Sequence, residues 1–384
     1  MQNKFNFDRL IDRRNTDSLK WNRYQGKDIL PLWVADMDFS APPSVIKALH
    51  RRVNHGVFGY GLPPSQLVET VTIMLAREYH WQVDPDWIIW LPGLVSGLNL
   101  TCRTVGRKKD QVMTTVPVYP PFLIAPKLSK RTLITTELVR QNGIWTFDFD
   151  ALKKAITPRT ALFILCNPHN PTGRVFHRDE LLQLFEICHC HNIVILSDEI
   201  HCQLILCPDK KHIPFASLGA EFEDTTITLM APSKTYNIPG LACSFAIIPN
   251  KKLRRRFKAV KSGIIPKVNV MGYVAALAAY NESGQWLKEL LNYLCINRDL
   301  VEEAVSRMPQ MTMNHVEATY LAWIDACQTG LKNPVIFFEH FGVGLSDGKD
   351  FGAPGYVRLN FGCPRTQLKH ALQRMQKALE KIVR

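Results

Sequence analysis

The sequence predicts an α/β protein in which a large domain, built on a mainly parallel sheet covered by helices, is joined to a smaller α+β domain. Two observations predict the sheet. Between residues 87 and 248, short runs rich in Val, Ile and Leu alternate with amphipathic stretches, the pattern of parallel strands buried on both faces. Polar residues able to do chemistry then follow directly on the ends of those runs, where ligands of doubly wound sheets collect. The third observation is length: 384 residues exceed what a single core usually supports. The expected division is an N-terminal arm and part of the small domain over 1–45, a large cofactor-binding domain over 46–280, and a C-terminal small domain over 281–384.

In chain order, the first distinctive stretch is Leu30-Pro31-Leu32-Trp33-Val34-Ala35-Asp36-Met37-Asp38-Phe39, apolar, extended and carrying two acids. Its composition fits an arm packed on a neighbouring domain better than a pocket wall. Pro42-Pro43 opens a helix through about Asn54, with proline in the first turn, where its missing N–H costs nothing. Residues 56–64 form a glycine-rich loop that presents Tyr60 between two glycines, and a helix over 65–79 follows. A strand over 87–91 runs through Pro92-Gly93-Leu94-Val95-Ser96-Gly97 into a helix ending near Gly106. Free N–H groups and the positive end of the helix dipole make that start an anion site.

Further strands are expected over 111–116, 133–139, 161–166, 193–197, 225–230 and 244–248. Tyr119 follows the first, and Asn167-Pro168-His169-Asn170-Pro171-Thr172-Gly173 the third. Asp198-Glu199-Ile200-His201 follows the fourth and Ser233-Lys234 the fifth. An amine held at a strand end is partly desolvated, which lowers its pKa and makes it a usable nucleophile and base. Lys234 is therefore the candidate covalent anchor for a cofactor. Beyond about residue 265 the chain is mainly helical, then passes through 318–324 and 356–362, the α+β pattern of the second domain. Gly342-Val343-Gly344 has half a dinucleotide-binding fingerprint, but the next glycine, Gly348, is misplaced, so the segment is expected to be a turn.

Composition narrows the classes of function. The formal charge of +13 is spread over scattered basic runs, and the densest, over 251–258, fits one side of a helix, so no nucleic-acid partner is expected. Ten cysteines without a secretory leader read as reduced thiols. Residues 1–8 lack an apolar leader core, and no run approaches the roughly 18 apolar residues that span a bilayer, so a cytoplasmic protein without membrane contact is expected. Cys188-His189-Cys190-His191 falls on a helix expected over 179–191, where Cys188 and Cys190 point to nearly opposite sides; no metal site is expected there.

An acid, an asparagine, an aromatic ring, a lysine and an anion site at the ends of neighbouring strands satisfy every polar feature of pyridoxal 5′-phosphate. A carboxylate keeps the pyridine nitrogen protonated and an aromatic face holds the ring. The stretches at 167–173 and 197–201, Ser233-Lys234-Thr235-Tyr236-Asn237-Ile238-Pro239-Gly240 and Arg358-Leu359-Asn360 resemble fold-type I pyridoxal-phosphate enzymes of the aminotransferase class nearly end to end. Within that class, residues 32–39, Phe58-Gly59-Tyr60-Gly61 and residues 358–365 resemble the cystathionine β-lyase branch of MalY and PatB type. The resemblance implies Lys234 as the cofactor-bearing lysine, Asp198 at the pyridine nitrogen, Asn170 at the ring hydroxyl and Tyr119 stacked on the ring. It implies Val95, Ser96 and Gly97 at the phosphate, Ser233 and His201 in the cofactor site, and Arg358 as the bidentate partner of the substrate α-carboxylate. Trp33, Val34 and Asn170 join the substrate site. Tyr60 is implied to reach the site of a second subunit, in a homodimer with shared active sites.

Three positions depart from the general aminotransferase pattern. His201 stands where that pattern has a tyrosine, a change also found in the lyase branch, while Ala231 replaces a phosphate-contacting serine and Ala242 an arginine. Phosphate holding should then rest on the N–H groups near Val95, Ser96 and Gly97, with Tyr60 from the second subunit. The reaction implied is β-elimination from a small-molecule amino-acid thioether such as cystathionine, giving thiol, pyruvate and ammonia. An aminotransferase of the same fold is the alternative within the class, and a regulatory protein acting through protein contacts the alternative outside it. With only the residues before 32 ahead of the first distinctive stretch, a fused DNA-reading domain is not expected.

Overall fold

The computed structural model describes residues 5–381; residues 1–4, the start of the segment read for a leader, lie outside the described residues. An eight-stranded sheet organises the fold. In chain order its strands are β1 (Ile88–Leu91), β2 (Gln111–Val116), β3 (Thr132–Gln141), β4 (Ile144–Phe147), β5 (Thr160–Cys166), β6 (Val194–Asp198), β7 (Thr226–Met230) and β8 (Ser244–Ile247). Across the sheet they run β1-β8-β7-β6-β5-β2-β3-β4. The five central strands from β7 to β3 are parallel. The flanking pairs β1 with β8, β8 with β7, and β3 with β4 are antiparallel. The strands at the middle of the sheet are buried, most fully Thr226–Met230, where all five positions lie inside, whereas Thr132–Gln141 nearer the edge is largely exposed. Each large apolar side chain so buried contributes about 1.5–3 kcal/mol against its exposed state. The expected strands are all present within two residues. The antiparallel β4, four residues across a Gln141-to-Ile144 turn, was not expected, because so short a run carries little periodic signal.

Helices cover both faces. Leu94–Thr104 packs against Pro121–Leu128 and Lys251–Lys261, and Pro43–His55 packs on Val270–Glu282. Lys251–Lys261 buries Leu253 and Phe257 and leaves its basic side chains outward, the one-sided charge expected of it. On the helix Arg178–Cys190, Cys188 is buried and Cys190 exposed, the opposite placement helical geometry requires. Among the described residues no helix is long and apolar enough to cross a membrane.

A second, four-stranded antiparallel sheet runs Thr312–Met313, Leu321–Asp325, Tyr356–Asn360, Ser346–Asp347. Arg358 sits at its centre, opposite Trp323 on one neighbour and Ser346 on the other. The segment expected to be a turn, Gly342-Val343-Gly344, is instead partly strand: Val343–Gly344 pairs in parallel with Leu30–Pro31 of the arm. Two residues are too few to show a strand period. Gly344 is needed there because a Cβ would meet the Tyr24 ring at 2.4 Å.

The arm is pinned by charge as well as by packing. Leu32, Ala35, Met37 and Phe39 join a core cluster with Tyr320 and Phe361. Beside them Asp38 accepts from Lys20 Nζ at 2.8 Å, Arg13 Nη1 at 2.6 Å and Trp21 Nε1 at 3.0 Å, and Arg13 also reaches Asp36 at 2.7 Å. Lys20 is fully buried. Asp38 stays ionised there because the Lys20 and Arg13 charges outweigh the burial that opposes it, and its pKa is lowered.

Candidate active site

The carboxyl ends of the parallel strands open into one cavity of about 360 Å³. Lys234, four residues after β7 ends, enters it from the turn that follows the strand. Tyr236 N donates to Pro232 O at 2.9 Å and Ile238 N to Ser233 O at 3.0 Å, fixing the turn around the lysine. Lys234 Nζ donates to Ala35 O at 2.6 Å and has no carboxylate partner among the described residues. Burial pushes its pKa down to about 8, helped by the Arg358 charge and opposed by Asp36 and Asp198. About a tenth of the amine is thus neutral at pH 7, far more than for an ordinary lysine.

The carbonyl that holds the amine is itself held. Asn360 Nδ2 donates to Val34 O at 2.6 Å and Asp36 O at 2.7 Å, and Tyr320 Oη donates to Ala35 O at 2.9 Å. Asn237, with φ of 53°, accepts from Met37 N and donates to Met37 O and Phe39 O. Side chains from three distant segments therefore satisfy the backbone of the arm. The arm is packed on the core, as its composition suggested, and is also a cavity wall through Val34 and Ala35, so the two readings do not exclude each other.

Register places Asp198, the last residue of β6, level with Cys166 of β5 and Leu229 of β7. Its Oδ1 accepts from Ile200 N at 3.1 Å, and no cation pairs with it among the described residues. Burial raises its pKa to about 7. A buried carboxyl in that condition fits a ligand bearing a protonated ring nitrogen. His201 lines the same cavity with Nδ1 buried and unpartnered, and burial, then the Lys234 and Arg358 charges, hold its imidazole neutral with a pKa near about 3. Tyr119 lies across the cavity, its hydroxyl kept protonated by burial, which raises its pKa.

Arg358 is buried without a carboxylate partner among the described residues. Nη1 donates to Asn170 Oδ1 at 2.9 Å, Nη2 to Trp33 O at 2.9 Å and Ser346 Oγ at 3.3 Å, the guanidinium lies 4.8 Å from the Phe351 ring centroid, and Nε has no partner. Burial lowers its pKa to about 10. A positioned guanidinium with only neutral neighbours is an incomplete ion site, suited to a carboxylate presented in its plane. With Oδ1 committed to Arg358, Asn170 keeps Nδ2 as a donor for a ligand.

The helix Leu94–Thr104 starts at the cavity. Its N-cap Gly93 has φ of 155°, a conformation that favours glycine. Leu94, Val95 and Ser96 line the cavity and, as the first turn, have N–H groups with no preceding turn to bond. Gly97 does not join them: its N–H bonds Gly93 O, and a Cβ there would meet Leu229 at 2.9 Å, so its lack of a side chain serves packing on the sheet. Ser233 lines the cavity, as does Ala242 in a left-handed conformation, whereas Ala231 is buried in the core between sheet and helix.

Two further residues stand away from this cavity. The Trp33 side chain is held outside it, Nε1 donating to Lys20 O at 3.0 Å and the ring 4.7 Å from the Arg23 guanidinium; its carbonyl, not its ring, touches Arg358. Tyr60 is fully exposed in its loop and reaches no residue of the cavity within its own chain. Conversely, Ala35, Cys243, Ser244 and Ile200 line the cavity without having been singled out. Ala35 acts through its carbonyl, which no residue type reveals. Ser244 was readable as the polar first residue of the strand expected over 244–248.

Residues 27–375 match the family model "Aminotransferase class I and II". Cystathionine β-lyase PatB of Bacillus subtilis (strain 168) is 37% identical over 97% of this chain and 100% of its own length. The crystal structure of OvoB superposes with a TM-score of 0.96 at 45% identity, covering 98% of this chain and 99% of OvoB. Cystalysin from Treponema denticola, whose crystal structure contains pyridoxal 5′-phosphate, superposes with a TM-score of 0.94 at 32% identity over 98% and 99% of the two chains.

Proposed function

Because the chain belongs to the aminotransferase class I and II family, in its PatB-like cystathionine β-lyase branch, we propose that it cleaves the Cβ–S bond of cystathionine-like amino acids, giving thiol, pyruvate and ammonia. It is a pyridoxal-phosphate-dependent carbon–sulfur lyase. The observation that carries the reading is the set of three unpaired ionisable groups around one cavity: the Lys234 amine, the Asp198 carboxyl and the Arg358 guanidinium. Each lacks the partner that pyridoxal phosphate or an amino-acid substrate brings.

In this reading Lys234 carries the cofactor, Asp198 faces the pyridine nitrogen, Asn170 Nδ2 and His201 face the ring substituents, and Tyr119 covers the ring. The first-turn N–H groups of Leu94, Val95 and Ser96, with Ser233, receive the phosphate. When bound, pyridoxal phosphate supplies an electron sink conjugated to the substrate Cα. Arg358 holds the α-carboxylate, which turns the Cα–H bond and the departing sulfur to fixed positions. Lys234 would take the Cα proton, its lowered pKa making it a usable base near neutral pH. The protonated Tyr119 hydroxyl gives its proton to the sulfur as the Cβ–S bond breaks. Water supplies the oxygen of pyruvate, and nitrogen leaves as ammonia.

The test is product analysis. Cystathionine should give pyruvate and homocysteine in equal amounts without any added keto acid. Rapid turnover of alanine plus a keto acid, with no pyruvate from cystathionine, would replace the lyase with an aminotransferase.

The Asp198 assignment predicts a pH dependence in the protein stripped of cofactor. Its folded pKa, about 7, exceeds the unfolded value of 3.8, so the folded state holds the extra proton between the two. Stability contributed by this group is present below pH 3.8 and is lost as pH rises through 7. Asp198→Asn should remove that decline from denaturant-unfolding curves taken across the window. Identical pH profiles for the two proteins would show that Asp198 is not the buried acid described.

We further read the assembly as a homodimer with shared sites. Val57, Phe58, Tyr60 and Leu62 expose apolar surface on one loop, and the loop is anchored at Gly61, where a Cβ would meet Val270 at 2.7 Å. Tyr60→Phe should release cofactor more readily on dialysis, and mixing it with Lys234→Ala should restore activity in hybrid dimers. Proven subunit exchange without recovery would place Tyr60 outside the site.

A further inference from the structure

A second cavity, of about 620 Å³, adjoins the first and shares Val34, Tyr119 and Arg358 with it. We propose that this cavity receives the sulfur-bearing half of the substrate and selects thioethers whose leaving thiol is aromatic or bulky and apolar over those whose leaving thiol carries a second charged amino-acid end. The inference rests on the lyase reading above and specifies its substrate class.

The walls decide the chemistry. Trp33, Pro120, Ile124, Ile336, Leu345 and Phe351 give the cavity a predominantly apolar lining. Trp33 is prepositioned, its Nε1 tied to Lys20 O and its ring 4.7 Å from Arg23, so a ligand ring meets a fixed partner. The cations of the rim are already matched: Arg23 pairs with Glu339 at 3.5 Å, and Lys349 with Asp347 at 3.1 Å. Arg358, the buried cation common to both cavities, is taken by the α-carboxylate. A second carboxylate, such as the distal one of cystathionine, finds no unpaired buried cation, and partly exposed rim pairs add little binding. Cystathionine is thus accepted but not favoured. Asp350 adds a further acid to the rim, which also disfavours an anionic leaving group.

The position also suits the bond that breaks. With the α-carboxylate on Arg358 and the α-carbon near Lys234, Cβ–S lies where the cavities meet, beside Tyr119. The balanced reaction takes one thioether amino acid and one water to one thiol, one pyruvate and one ammonium. The Cα proton goes to Lys234 and the Cβ–S pair stays on sulfur. An aromatic thiol, being more acidic than an alkyl thiol, accepts that pair more readily.

The experiment compares kcat/KM for pyruvate release from S-phenyl-L-cysteine and L-cystathionine with the holoenzyme, and repeats the comparison in Ile336→Trp and Ile124→Lys. Both positions are half exposed, and the ratio between two substrates does not depend on the amount of active protein. The native ratio should favour S-phenylcysteine by about tenfold or more, as burial of one added ring predicts. Ile336→Trp, by filling the cavity, and Ile124→Lys, by adding an unpaired cation, should each narrow the ratio at least about fivefold. A native preference for cystathionine, or a ratio that neither substitution moves, overturns the inference while leaving the lyase reading intact. Absence of pyruvate from both substrates removes the lyase reading and this inference with it.

Discussion

Lys234→Ala is expected to abolish turnover, with a loss of about 10⁴-fold or more, because the same side chain serves as cofactor anchor and as base for the Cα proton. The expectation follows from its setting. The amine projects from within a turn, has one hydrogen bond, to Ala35 O, and its pKa falls to about 8 under burial. Among the described residues no second lysine lines the cavity to replace it. A readout independent of activity is borohydride reduction of the holoprotein followed by peptide mapping, since reduction locks the cofactor onto the lysine that carries it. The label should appear on the peptide containing Lys234 and vanish in the variant. A label on any other lysine refutes the assignment.

Arg358→Ala should lower kcat/KM for amino-acid substrates by roughly thirtyfold to several thousandfold, corresponding to about 2–5 kcal/mol for removing one member of a buried charged pair. Cofactor retention should change far less, because Arg358 faces Asn170, Trp33 and Ser346 and not the helix start. Measuring cofactor affinity by titration alongside kcat/KM separates the two effects. An unchanged kcat/KM would exclude Arg358 from substrate binding. Equal losses in both quantities would show that the guanidinium supports the cavity as a whole, through Asn170, and does not recognise the carboxylate.

The parts of this architecture legible in the sequence share one property: the residue type itself carries the signal. Buried parallel strands are written as runs such as Thr226-Ile227-Thr228-Leu229-Met230, and the residues at their ends are polar in an otherwise apolar context. That rule leads to Tyr119, Asn170, Asp198 and Lys234, and the structure brings all four to one cavity. Arg358 lies on the second sheet, where its neighbours Trp323 and Ser346 are remote in sequence; only its likeness to a known motif drew notice to it. What escaped notice works through the backbone or through pairing. The Ala35 carbonyl, the parallel bridge of Leu30–Pro31 to Val343–Gly344 and the use of Gly97 against Leu229 depend on partners that no local pattern names. Trp33 misled in another way, since its ring and its carbonyl serve different cavities.

The arm that closes the cavity imposes an order on how the molecule comes into being. Ala35 reaches Lys234 across 199 residues, and Trp33 reaches Arg358 across 325. A ribosome therefore releases the arm long before it makes the guanidinium the arm will hold. Until then Leu32, Met37 and Phe39 have no Phe361 to pack on, and the Asp36 and Asp38 carbonyl and carboxylate groups have no Asn360 or Gln367 to meet. Contacts so far apart are slow to form and keep apolar surface open meanwhile. The central sheet, complete by residue 247, can assemble first, and catalytic competence becomes a late event of biosynthesis, reached when residues 32–39 meet residues 358–367.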